Sequence, residues 1–114
     1  MVAVDSTKNS LASAYVGLGT WVSVHTASPG TTGANEVTGG TPAYARKQTT
    51  WGTPTAGVVS GSEVTFDVPA GTYTHWGLWS AQTGGTFRDG GALTPTSTVG
   101  GQTTIKVPIS YTQT

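Results

Sequence analysis

Residues 63–68 (EVTFDV) constrain the fold more tightly than any other part of the chain. Val64, Phe66 and Val68 alternate with Glu63, Thr65 and Asp67. Successive strand side chains point to opposite faces, so this run buries one face and wets the other, as in an antiparallel sheet. Further short runs follow at intervals, separated by Gly, Pro and Asn turn signals. Residues 20–26 read as a strand with Val22 and Val24 on one face and Trp21, Ser23 and His25 on the other. A second strand is expected at 44–51, ended by the turn at 52–57, where Pro54 bars a central strand. Residues 73–80 (YTHWGLWS) are apolar on both faces and read as a central or interface strand. Thr83-Gly84-Gly85 is a hairpin signal, and 86–93 pairs back. Residues 103–111 place Ile105, Val107, Ile109 and Tyr111 on one face, with Pro108 marking an edge or a bulge. One short helix is expected. Leu11, Tyr15 and Leu18 fall at i, i+4 and i+7 behind a cap at Asn9 or Ser10, and Gly17 and Gly19 stop it. The expected fold is all-β: a single antiparallel β-sandwich over residues 1–114, jelly-roll or Ig-like. Residues 1–19 form an N-terminal arm with the helix.

The composition agrees. Thr occurs 23 times and Gly 17 times in 114 residues, and charged residues are only 9% with a net charge of +0. Thr favours strands and Gly favours turns. The four Trp and four Tyr supply enough aromatic area for a core in so small a chain. A neutral surface gives little colloidal protection, which suits a protein that lives in an assembly. Lys8, Arg46, Lys47, Arg88 and Lys106 are scattered, so the basic footprint of a nucleic-acid binder is missing. The chain has no cysteine, which excludes disulfides and thiol chemistry. MVAVDSTKNS lacks a basic-then-apolar export signal, and no apolar run reaches the length of a membrane span. Synthesis in the cytoplasm and no membrane partner are expected.

Residues 23–46 (SVHTASPGTTGANEVTGGTPAYAR) start as a strand and dissolve into a long Gly/Thr/Pro/Asn loop. The loop is longer than a hairpin needs, and long loops in compact domains are functional or flexible. Its single acid, Glu36, has no partner evident in the sequence.

Catalytic patterns are weak. His25 and His75, with Glu36 or Asp67, are too irregularly spaced for a metal site, and a structural role is expected for both. Ser23, His25 and Asp67 make a triad on paper only, without a nucleophile elbow. Glu63 and Asp67 lie four residues apart on one strand face. That is about 13 Å at a rise of ~3.3 Å per residue, too far for a glycosidase pair. The Gly-rich segments lack the order and the lysine of a phosphate loop. Trp21, Trp51, Trp76 and Trp79 are the best ligand candidates, since exposed indoles stack on sugar rings, with Asn35 and Glu36 as hydrogen-bonding partners. A core or interface role for them is the stronger expectation.

The run SVHTASPGTTGANEVTGGTPAYAR, followed by VTFDVPAGTYTHWGLWSAQTGGTF, resembles small phage virion proteins labelled tail-fibre or fibre-like, from phages of Gram-positive and especially actinobacterial hosts. The likeness covers nearly all of the chain from Leu11 onward. It implies a virion structural role without enzyme activity or cofactor. Small β-rich virion proteins of this kind often decorate capsids as trimers. The leading expectation is therefore a capsid decoration protein on the virion surface, a homo-oligomer bound to the major capsid protein. The alternative is a tail, tail-fibre or receptor-binding module that meets host glycan. Residues 1–18 and the loop at 27–42 are expected to make the assembly contacts. The residues nominated are Leu11, Tyr15, Pro29, Asn35, Glu36, Tyr44, Arg46, Trp76 and Trp79.

Overall fold

The computed structural model describes residues 4–113, so Met1, Val2 and Ala3 of the expected arm lie outside the described residues. It is an all-β, sandwich-like fold with one helix. Helix α1 spans Asp5–Val16. The strands are β1 Trp21–His25, β2 Lys47–Gln48, β3 Val58–Ser60, β4 Val64–Val68, β5 Gly71–Trp79, β6 Phe87–Val99, β7 Thr103–Val107 and β8 Ser110–Thr112. All pairings are antiparallel. One sheet has the order β2-β1-β5-β6, and two ribbons, β3-β8 and β4-β7, complete the fold.

The alternation at 64–68 places Val64, Phe66 and Val68 in the core, across from Ile105 and Val107 of β7. They pack with Val22, Val24, Tyr73 and Leu78 of the larger sheet. Strand β5 is central, between β1 and β6, as its two apolar faces require. The expected terminal strand is split at Pro108, so that β7 pairs with β4 and β8 pairs with β3. Pro lacks the N–H that a continuous ladder needs. Three expectations shift. The helix begins at Asp5 rather than after Asn9. It buries Ala12 and Tyr15 and leaves Leu11 and Leu18 exposed. The strand expected at 44–51 shrinks to Lys47–Gln48. Beyond it, β1 gives its Val24 carbonyl to the Val37 N–H and its Val24 N–H to the Tyr44 hydroxyl, so nothing is left there for a second ladder.

Strand β6 carries a large irregularity. Tyr73 pairs with Ser97 and His75 with Ala92, so residues 93–96 stand opposite Thr74 alone. Extra residues on one strand bend it and open the ladder locally.

Candidate functional site

The long loop is the second cover of the main sheet. Four of the five β1 residues are buried, because Val22 and Val24 enter the core while Ser23 and His25 lie beneath the loop. Pro29 accepts N–H bonds from Gly33 and Ala34, and the Ala34 carbonyl accepts from His25 Nδ1 at 2.7 Å. Asn35, at φ 64°, donates to the Ser28 carbonyl through its side chain and accepts from Thr26 N–H through its backbone. Gly33 has φ 77°, and a Cβ there would lie 2.3 Å from the Trp79 ring, so only glycine fits on both counts. Pro29 is buried above Gly90, where a Cβ would approach it to 2.8 Å.

Below the loop runs a buried polar chain. Because a carbonyl can only accept, His25 Nδ1 carries the proton and Nε2 accepts. Ser23 Oγ donates to that Nε2 at 2.7 Å and itself accepts from Trp79 Nε1 at 2.8 Å. Burial holds the His25 imidazole below its ordinary range. The serine–histidine contact contemplated from the sequence is therefore real, but both residues are fully buried. A Cβ on Gly77 would strike both of them, so the contact is sealed on that side as well. The orienting partner is a backbone carbonyl and not Asp67, which lies on β4. This is a structural relay in a dry site, with no face open to a substrate.

The loop is locked at its far end by Arg46. Its Nε and Nη2 reach the two Glu36 carboxylate oxygens at 2.9 Å each, and Nη1 reaches the carbonyls of Ala81 and Gly84 at 3.1 and 2.8 Å. Its guanidinium carbon lies 3.5 Å from the centre of the Trp79 ring. Bidentate pairing and stacking are geometries that arginine makes and lysine does not. Tyr44 donates to Glu36 Oε2 at 3.0 Å while its ring stacks on Phe66. Burial, reinforced by the Glu36 charge, raises the Tyr44 hydroxyl well above its usual range. Glu36 thus has two partners, which corrects the reading of an unpaired acid. Sequence spacing hid them, because Arg46 lies ten residues away across a loop. Glu36, Tyr44, Arg46, Gln82 and Gly84 rim an open hollow of about 460 Å³.

The nominated residues fall into groups. Glu36, Tyr44, Arg46 and Trp79 form the lock, and Pro29 and Asn35 shape the loop that it closes. Tyr15 joins helix to sandwich. Its ring stacks on Tyr111 at 3.7 Å and its hydroxyl donates to Asp89 at 2.8 Å. Leu11 stands apart, exposed on α1. Trp76 faces a different cleft of about 420 Å³, lined by Leu93, Thr94, Ser97, Lys106 and Pro108 among others.

Taken together, the neutral sandwich, the loop locked as a second cover and the sealed polar relay describe a structural β-protein. The family model described as podophage GP4 fiber I protein gp80 matches residues 9–114. The chain belongs to that family of phage fibre proteins, and the fibre-like resemblance read from the sequence is confirmed. No curated protein and no solved structure matches it.

Proposed function

We propose that the chain is a non-enzymatic module of a phage tail fibre that contributes to contact with the host surface. The observation that carries this reading is the family match across residues 9–114, and it favours the fibre over capsid decoration. The geometry supports it. The Ser23–His25 pair is buried and sealed, and the loop is fastened by the chain's own Arg46 and Glu36. Such a module presents a fixed outer surface.

The same reading includes self-association, with a trimer preferred. Val4, Leu11, Leu18 and Val58 are the exposed large apolar side chains among the described residues, at 67, 45, 43 and 41% exposure. Three of them lie on or beside α1 at seven-residue spacing, and Val58 is on β3, which α1 contacts. Clustered exposed apolar groups mark protein contacts.

Gold-labelled antibody against the protein, applied to intact virions and imaged by electron microscopy, tests the location. Label at the tail with a low copy number is expected. Label covering the head, at a copy number matching the capsid lattice, would overturn the tail-fibre reading.

A further inference from the structure

The geometry points to the Trp76 cleft as a saccharide-binding site, in which the indole is a stacking platform and the β6 irregularity supplies the polar wall. This inference rests on the fibre reading, since it names what the module would touch.

Trp76 is set apart from the other indoles. Trp79 is buried and donates to Ser23, and Trp51 donates to the Gly19 carbonyl. Trp21 and Trp76 have indole N–H groups without a partner among the described residues, and neither N–H is buried. Of these two, Trp76 borders the cleft of about 420 Å³. Its placement is built. Trp76 pairs with Gly91 across β5 and β6, and a Cβ at Gly91 would lie 2.8 Å from Nε1 and 3.0 Å from the ring carbons. The indole therefore rests against the bare backbone of β6, at a spot where any larger residue would lift it. One part of the ring packs against the core, and the rest borders the cleft.

The cleft walls fit a sugar. Leu93, Val107 and Pro108 are apolar, and Thr94, Ser97 and Lys106 are the polar residues that border it. The irregularity leaves residues 93–96 without register partners on β5, so this stretch is bent away from the sheet. A volume of about 420 Å³ lies within the range of small-ligand sites, about 300–1,000 Å³. An aromatic face, a few hydroxyl-sized hydrogen-bonding groups and no acidic lining residue match a neutral pyranose, with its C–H face on the indole and its hydroxyls toward Thr94, Ser97 and Lys106. An aliphatic ligand would leave those polar groups unpaired, and a phosphate would meet only one cation.

The test is a ¹H–¹⁵N titration of the intact protein, following the four indole N–H signals. The probes are neutral glycosides at millimolar concentration: the methyl glycosides of glucose, galactose, mannose, rhamnose and N-acetylglucosamine, and their β-linked disaccharides. A saturable shift of the Trp76 signal with at least one probe is expected. Thr94→Ala and Lys106→Ala, at exposed positions that leave the core intact, should each weaken that binding several-fold. Gly91→Ala should abolish it, and Trp21→Ala should leave it unchanged. No saturable Trp76 shift with any probe would overturn the inference, as would binding insensitive to Thr94→Ala and Lys106→Ala. The two readings fail separately. Tail labelling without sugar binding would remove this site and keep the fibre module, whereas sugar binding with head labelling would do the reverse.

Discussion

Arg46 is the residue on which the long loop depends. It is 9% exposed and engages both Glu36 oxygens and two backbone carbonyls. Removing Arg46 from this partly buried pair deletes charge-assisted hydrogen bonds and leaves Glu36, 21% exposed, to solvent, at a cost of about 1.5–3 kcal/mol. Arg46→Ala is therefore expected to lower the urea midpoint by that equivalent. Glu36→Gln should cost less, and the double variant less than the sum of the two. His25 gives a second residue-level expectation. Its folded-state pKa is depressed by burial, so the unfolded chain takes up the proton first as pH falls. The His25 contribution to stability is complete above about pH 6.5, the unfolded histidine value. It declines as pH drops from there toward the lower folded value. Urea midpoints from pH 7.5 to 5 should fall, and His25→Gln, which cannot titrate, should flatten that slope. A slope unchanged in the variant would remove His25 as its source. The structural role of this histidine was legible from its place on an alternating strand. Its Ala34 carbonyl partner was not, because that group belongs to the loop backbone, and backbone position leaves no compositional trace.

At the scale of elements, the sequence disclosed what periodicity encodes. Val64, Phe66 and Val68 announced β4, the doubly apolar run announced a central or interface strand at β5, and Pro108 marked an edge or bulge in a run that was read as one strand and divides into β7 and β8. Periodicity could not disclose that β2 begins only at Lys47, since Tyr44 and Arg46 alternate like strand residues while their side chains serve the loop. Nor could it disclose that residues 27–36 form a layer, because Gly, Thr and Pro read as a connector. Helix α1 misled for a related reason: Leu11 and Leu18 fit the apolar template, yet the smaller Ala12 and the ring of Tyr15 make the contact. The layer reading separates two glycines of the loop. Gly33 and Gly30 both have positive φ, but only Gly33 lies against Trp79, whereas a Cβ at Gly30 would meet nothing within 4 Å. Gly30→Ala is expected to cost about 1 kcal/mol, from backbone strain alone. Gly33→Ala should cost about 1–3 kcal/mol more, from overpacking, and should expose residues 27–36 to limited proteolysis. Equal stability and equal cleavage in the two variants would refute the layer.

At the scale of the whole molecule, the apolar side chains along α1 define the expected association. Leu11→Glu alters a side chain that is 45% exposed and outside the buried core, so the fold should persist. Light scattering should show the oligomer dissociating toward monomer. A wild-type chain that is monomeric at high concentration would remove self-association from the reading, and an oligomer that survives Leu11→Glu would move the interface elsewhere. The locked loop also bears on how such a protein diversifies. A fibre protein adapting to new hosts changes fastest where substitution is cheap. Here the most conspicuous Gly/Thr stretch is closed to that, because Pro29, Gly33, Glu36 and Arg46 answer to the sheet beneath them. Variation between relatives should instead collect at the rim of residues 93–97 and at Gly100 and Gly101, where a Cβ would meet nothing within 4 Å. Selection on host range would then act on the bulge and a turn, while the loop keeps its sequence as a core strand does.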